Sequence, residues 1–136
     1  MAALAAVLPW RPAADPPPAR AAQDDDPVRI MAMGDSITWG TGSRDGDGWR
    51  EPLRARLAAA GYRVDLVGPL RQGRGPDRDL AGYPGWRVDQ LRGRAPGYVA
   101  AYAPDVVLLH IGTNDLRRGQ RPRDVAQRLA GLVGEL

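Results

Sequence analysis

The 136-residue sequence predicts an α/β fold with a right-handed, doubly wound parallel sheet. The prediction rests on apolar or alternating runs typical of strands, which begin at Val28, Tyr62 and Val106. It rests equally on the helical spacing of apolar residues after each run, so that strands and helices alternate along the chain. Right-handed crossovers then place the first strand between the other two, with the alternating strand at one edge of the sheet.

The first predicted strand, residues 28–33, ends at Gly34, where the main chain must turn. Ser36 therefore lies just past the carboxyl end of a strand, the edge at which open α/β sheets bind ligands. A serine hydroxyl at that edge is a candidate nucleophile. The same residue is equally compatible with a helix N-cap or a turn, so this stretch alone leaves both interpretations open.

A scaffold helix and a second strand follow this turn. After a Gly- and Asp-rich loop at residues 41–48, apolar residues recur at i, i+4, i+8 and i+11 from Trp49 to Ala60, and Gly61 is placed as the C-cap. Residues 62–67 then alternate apolar and polar side chains, which is the pattern of a half-exposed strand.

Residues 68–85 are rich in Gly, Pro, Arg and Asp and predict a long loop. Loops of this length inside compact domains are usually functional or mobile. Tyr83 and Trp86 lie at the end of the loop. They either line a substrate pocket or pin the loop to the body of the domain.

The last part of the chain predicts a short helix around Val88 and Leu91, followed by a strand at residues 106–111 that is apolar except for His110. Such a strand is normally buried on both faces and central in a parallel sheet. Pro122 opens a final helix. The predicted inner stripe of that helix consists of Val125, Leu129, Leu132, Val133 and Leu136.

Composition argues against several classes of partner and cofactor. The chain has no cysteine, so a hydrophobic core and not disulfides must stabilise it. Its net charge of +3 comes from 19 arginines spread among 16 acidic residues, and no nucleic-acid partner is expected. Asp35, Asp115 and the single histidine form no recognisable metal-ligand set, and no Gly-x-Gly-x-x-Gly turn is present, so neither a metal nor a dinucleotide cofactor is expected.

Residues 1–27 differ in composition from the rest of the chain. An apolar run at residues 2–8 is too short to cross a bilayer, so no membrane span is expected, and a Pro-, Ala- and Asp-rich stretch follows it. The segment is either signal-like, with residues 19–21 as a small-residue cleavage site, or a disordered linker. We favour export, although no positive charge precedes the apolar run; the alternative location is the cytoplasm.

Three short motifs, each after a predicted strand, carry a family resemblance. In chain order they are Gly34-Asp35-Ser36-Ile37-Thr38, Gly68 at the end of residues 65–68, and Gly112-Thr113-Asn114-Asp115. Their order and spacing resemble the SGNH hydrolases, also called the GDSL esterase/lipase family. The resemblance implies a flavodoxin-like sheet of about five strands. Residues 28–136 then correspond to the N-terminal part of such a domain, incomplete at the C-terminus, with about three strands. The family's remaining strands would lie beyond residues 106–111, so we expect this strand to be left as an edge with exposed backbone groups and apolar faces.

The resemblance also implies roles for individual residues. Ser36 is the nucleophile of a serine ester hydrolase. The oxyanion hole consists of the backbone N–H groups of Ser36 and Gly68 and the side-chain amide of Asn114. The supporting positions are Asp35, Gly112, Thr113 and Asp115. No cofactor is implied, and the expected partner is a small-molecule or carbohydrate ester substrate.

The general base is the missing part. The family takes its catalytic His, with an Asp three residues earlier, from a block near the C-terminus, and no such pair occurs in this sequence. His110 lies inside a predicted strand, where an imidazole is more often packed than catalytic. We therefore expect the 136-residue chain to be a fragment that is inactive or weakly active.

Two functions remain open. Residues 82–86 resemble the acetyl-xylan-esterase-like branch of the family, which implies hydrolysis of small acyl esters such as acetyl groups on carbohydrate. The alternative is a non-catalytic carbohydrate- or partner-binding remnant that keeps the pocket without the base.

Overall fold

The computed structural model describes residues 26–136, so the predicted signal-like segment at residues 1–27 lies outside the described chain except for its last two residues. The described chain forms five strands and six helices. In order they are β1 (Val28–Gly34), α1 (Ser36–Trp39), α2 (Arg50–Ala59), β2 (Val64–Leu66), β3 (Leu70–Arg71), β4 (Asp79–Gly82), α3 (Val88–Arg92), α4 (Ala95–Tyr102), β5 (Val106–His110), α5 (Thr113–Arg117) and α6 (Pro122–Val133).

β1 is the central strand of the sheet. Along one edge it pairs in parallel with β5, up to Gly34 opposite His110. Its other edge pairs in parallel with β2 at residues 28–30 and then with β4 at residues 33–34. β3 pairs with β4 in the antiparallel direction. The predicted α/β fold with a parallel sheet is confirmed, and so is the place of β1 between β2 and β5.

The loop predicted at residues 68–85 is wrong in part, because it contains β3 and β4. These strands are two and four residues long, so neither shows an apolar run or an alternation long enough to be read as a strand. The sequence pattern also misses α1, α4 and α5, which have four, eight and five residues. A helical period cannot be established over so few residues.

The hydrophobic core is built on β1. Met31 and Met33 are wholly buried and belong to one cluster with Leu91 of α3 and Leu132 of α6. At the end of α6, Val133 and Leu136 are exposed. The buried stripe of this helix is therefore shorter than the sequence predicts. Every helix among residues 26–136 is too short or too polar to traverse a bilayer.

The last strand is only partly buried, as expected of a central-type strand left at the edge of the sheet. Val106 is 40% exposed, and the residues of β5 between it and the exposed His110 are only half-buried. Among the described strands β5 pairs with β1 alone, which leaves its outer edge without a strand partner. An edge strand of this composition lacks the second neighbour that would complete its burial.

Gly34, the last residue of β1, lies against the neighbouring strand without room for a side chain. A Cβ built at this position would lie 2.1 Å from the carbonyl oxygen of His110 and 2.5 Å from the Thr38 Oγ1. Glycine is therefore required here by the close approach of β5, independently of any catalytic role.

We expect Gly34→Ala to lower the free energy of unfolding by about 1–3 kcal/mol, because β5 must move to admit the methyl group. Gly97→Ala is the matched control, since nothing lies within 4 Å of a Cβ built there in α4. This control should be neutral or stabilise by about 0.5–1 kcal/mol. Urea unfolding of both variants measures the difference, and equal stability of Gly34→Ala and the wild type would contradict the close approach.

Candidate active site

The turn after β1 presents Ser36 on a short helix. The wholly buried Asp35 is the N-cap of α1, and its Oδ1 accepts the N–H of Ile37 at 2.9 Å. α1 ends after one turn at Gly40, whose φ of 92° is left-handed. The alternative in which Ser36 caps the helix is therefore wrong, because Asp35 has that role. The half-buried Ser36 begins the helix instead.

The turn after β5 ties Asn114 and Asp115 to the segment before α3. The Asn114 Nδ2 donates to the carbonyl oxygen of Trp86 at 2.9 Å. The wholly buried Asp115 accepts the N–H of Val88 at 3.1 Å, and its other oxygen lies 3.6 Å from the Nη2 of Arg128. These contacts fix the side chains of this turn relative to residues 86–88.

Several of the predicted residues meet at one edge of the sheet. Gly34 and His110 are opposite each other, and the N–H of Asp35 donates to the carbonyl oxygen of His110 at 3.3 Å. The turns that carry Ser36 and Asn114 therefore begin side by side at the carboxyl ends of adjacent parallel strands. Thr113 is exposed and Gly112, with a φ of 112°, is the left-handed N-cap of α5.

Gly68 and Gly82 are both candidates for the glycine that would contribute its N–H beside the turns of Ser36 and Asn114. Leu66, two residues before Gly68, pairs with Ile30, which lies four residues before Gly34. Gly68 is buried, and a Cβ there would lie 2.4 Å from the carbonyl oxygen of Leu80 in β4. Its lack of a side chain is thus explained by packing against β4.

Gly82 lies closer to the turn that carries Ser36. It pairs with Gly34 at the end of β1, and the next residue donates its N–H to the Gly34 carbonyl oxygen at 2.9 Å. A Cβ at Gly82 would lie 2.9 Å from the backbone nitrogen of Trp39 in α1. The sequence pattern does not show that Gly82 ends a strand, because β4 has only four residues. The turn residues that follow Gly82 are the one local indication of a strand end there.

The aromatic residues after β4 hold the chain to α4. The rings of Tyr83 and Trp86 stack with centroids 3.8 Å apart, and the Tyr83 and Tyr98 hydroxyls share a hydrogen bond of 2.6 Å. Burial, reinforced by the bond to Tyr98, raises the pKa of the Tyr83 phenol. These contacts fit the interpretation in which Tyr83 and Trp86 pin the loop.

A groove of about 570 Å³ lies elsewhere on the molecule. Its lining includes Pro27, Tyr62 and Val64, at the amino ends of β1 and β2, and none of the predicted site residues. Ligands of open α/β sheets bind at the carboxyl ends of the strands, so the edge that carries Ser36 is the candidate site. No group of three or more potential metal ligands occurs within residues 26–136.

A parallel sheet whose strand-end turns carry Gly-Asp-Ser-Ile-Thr and Gly-Thr-Asn-Asp defines the class of SGNH-type esterases and acylhydrolases. The chain belongs to the GDSL-like lipase/acylhydrolase family, whose model matches residues 32–136.

Similar sequences and a similar solved structure are consistent with this family membership. The chain is 34% identical over 116 residues to a multidomain esterase of Ruminococcus flavefaciens, in a match that covers 68% of the chain. It is 30% identical over 104 residues, 76% of the chain, to esterase TesA of Pseudomonas aeruginosa. A family 3 carbohydrate esterase of Clostridium thermocellum has a similar structure, with a TM-score of 0.75 and 34% identity over 81% of this chain.

The chain spans only part of these proteins. The matches cover 15% of the multidomain esterase, 46% of TesA and 55% of the C. thermocellum esterase. Family membership is therefore established for residues 32–136, which correspond to part of each of these relatives.

The Tyr83 hydroxyl leads to a prediction about alkaline pH. Because its pKa is raised in the folded protein, the stability that its protonated form contributes is fully present below the ordinary tyrosine pKa of about 10 and is lost as the pH rises above that value. We expect Tyr83→Phe to lose about 1 kcal/mol of stability at neutral pH, with the bond to Tyr98, but to lose less stability than the wild type from about pH 9 to 11.

Thermal unfolding followed by circular dichroism across this pH range measures the two slopes. Tyr62→Phe is the control, since Tyr62 is exposed. Identical slopes for the wild type and Tyr83→Phe would show that the Tyr83 phenol ionises as easily in the folded as in the unfolded chain.

Proposed function

We propose that the protein is a serine ester hydrolase in which Ser36 is the nucleophile. The observation that carries the proposal is the placement of Ser36 directly after the central strand, with Asp35 and not Ser36 acting as the helix cap. The Ser36 hydroxyl is thus left without a structural role at the edge where α/β sheets bind ligands. An ester carbonyl held against this turn would be attacked by the hydroxyl oxygen once a base takes its proton.

The proposed oxyanion hole combines the N–H of Ser36, the side chain of Asn114 and a glycine N–H. The bond from Asn114 to the carbonyl oxygen of Trp86 uses one of its two amide hydrogens and leaves the second to donate to substrate. The pairing of Gly82 with Gly34 and its contact with α1 favour Gly82 as the glycine donor over Gly68.

The proposed substrate is a small acyl ester such as an acetyl group on carbohydrate. Support comes from the carbohydrate esterase of C. thermocellum and from a carbohydrate esterase family 3 structure of Talaromyces cellulolyticus, which is 28% identical with a TM-score of 0.62. Small esters suit an open sheet edge because they need few contacts beyond the oxyanion donors.

The lack of an Asp-x-x-His block limits the esterase activity that we expect of the 136 residues alone. His110, the single histidine, is exposed at the end of the edge strand. Loss of the base of a serine triad lowers kcat by roughly 10⁴–10⁶. We therefore propose that this polypeptide by itself is inactive or weak. The second candidate, a binding remnant without catalysis, is favoured by the same observation. An in-frame Asp-x-x-His beyond codon 136 would decide for the enzyme, and an immediate stop codon would decide for the remnant.

The oxyanion donors are tested with phenylboronic acid at a pH above its own pKa, where it is present as the trihydroxyboronate anion. This anion exchanges one hydroxide for the serine oxygen and releases water, so the tetrahedral adduct forms without a base from the protein and without substrate turnover. We expect titration of the ¹⁵N-labelled chain to shift the N–H resonances of Ser36 and Gly82 and the side-chain amide of Asn114, because all three face the adduct. Ser36→Ala should abolish these shifts. Ser43→Ala, at the only other serine, should keep them. A shift of the Gly68 N–H resonance in place of Gly82 would identify Gly68 as the glycine donor. The absence of a shift at both glycines would contradict the proposed site.

Turnover of p-nitrophenyl acetate tests the missing base. We expect the 136-residue chain to hydrolyse this ester at the same rate as its Ser36→Ala variant, and a fluorophosphonate to label Ser36 weakly or not at all, because no base lies ready to accept the proton. Robust turnover that disappears with Ser36→Ala and with His110→Ala would instead identify His110 as the base.

A further inference from the structure

α1 is too short to hold its own position. It has four residues, whereas isolated helices need about 12–15 residues to be even marginally stable in water. The direction of the Ser36 side chain and N–H therefore depends on groups that bind the two ends of α1. Asp35 holds the first turn, so the last turn needs a partner of its own.

Arg50, the first residue of α2, binds the end of α1. Its Nε donates to the carbonyl oxygen of Thr38 at 3.0 Å, and its Nη2 lies 3.5 Å from the carbonyl oxygen of Trp39. These are the last two carbonyls of α1, which a helix end leaves without intrahelical donors. A cation at the C-terminus of a helix is also electrostatically favourable.

The same guanidinium reaches two further segments. Its Nη2 donates to the carbonyl oxygens of Gly46 at 3.1 Å and Gln72 at 2.9 Å. Arg50 thus joins α1 to the loop before α2 and to the residue after β3. The buried Asp47 reinforces this connection, since its carboxylate accepts the N–H groups of Arg74 and Gly75 at 3.0 to 3.1 Å.

The surroundings of Arg50 explain why an arginine is needed. The residue is 1% exposed, and this burial lowers the pKa of its guanidinium, against the opposing effect of nearby carboxylates such as Asp47. All four acceptors are main-chain carbonyls. A rigid fork with donors in several directions can satisfy such a set, whereas the single ammonium of a lysine cannot.

We infer that Arg50 is a positioning residue for Ser36: by holding the last turn of α1 and the adjoining loop, it fixes where the Ser36 hydroxyl and N–H point. The inference rests on the proposed function for the reactivity of Ser36, but the contacts that hold α1 do not depend on it.

Hydrogen exchange tests the hold on α1. The amides of Trp39, Gly40 and Thr41 donate to the carbonyl oxygens of Asp35 and Ser36 and report directly on this turn. We expect Arg50→Lys to speed their exchange by about tenfold or more, with exchange in β1 unchanged, because only the local opening becomes easier. Arg54→Lys, one turn further along α2, should leave both regions at wild-type rates. Wild-type rates at these three amides in Arg50→Lys, or equal acceleration throughout the chain, would overturn the inference.

Phenylboronic acid, again supplied as its trihydroxyboronate anion so that no protein base is needed, tests the consequence for the site. Its affinity for Ser36 should fall about tenfold in Arg50→Lys and stay unchanged in Arg54→Lys, because a loosened α1 must be ordered again on binding. Unchanged affinity in Arg50→Lys would overturn the positioning role. If the wild type itself does not bind the boronic acid at Ser36, the proposed function fails, while the exchange comparison still decides whether Arg50 holds α1.

A second variant covers the case in which Arg50→Lys does not fold. Arg50→Ala leaves a cavity shaped for a guanidinium, and millimolar methylguanidinium should restore the protection of the three amides. Methylammonium at the same concentration should not. Equal failure of both cations, or equal rescue by both, would refute the requirement for a fork of donors.

Discussion

The structure depends on the position of β1, whose main chain is paired along both edges. β5 occupies one edge, and β2 and β4 share the other. Because both edges are filled, the carboxyl end of β1 cannot shift sideways, and Gly34 lies against the neighbouring carbonyl of His110 with no room for a side chain. The turn that carries Ser36 begins two residues later and inherits this fixed starting point.

Buried polar groups then hold the short segments that the sheet cannot hold. Asp35 caps α1, Arg50 binds its last carbonyls, and Asp115 fixes the start of α3. Each of these side chains is almost wholly buried. A buried charge without partners is costly, and main-chain donors or acceptors bind each of these side chains. One buried polar atom of each makes no hydrogen bond: the Asp35 Oδ2, the Arg50 Nη1 and the Asp115 Oδ1. The Ser36 hydroxyl lies at the same edge without such a main-chain contact, which supports the proposed site.

The open edge of β5 is the counterpart of the filled edges of β1. Its outer side has no strand partner among residues 26–136, and its apolar residues are only half-buried. The chain also spans about half the length of the C. thermocellum esterase that it resembles. The resemblance to the family places the base in an Asp-x-x-His block, which this sequence does not contain.

The sequence by itself determined the alternation of strands and helices, the order of the long strands and the positions of Ser36 and Asn114 at strand ends. These follow from apolar runs and from glycine turns, which are local patterns of adequate length. Only the tertiary structure decided that Gly82 pairs with Gly34 and that Arg50 is buried against the end of α1. The physical reason is that strand register and the burial of a charge depend on which distant segments meet, and β3, β4 and α1 are too short to mark their partners in the sequence.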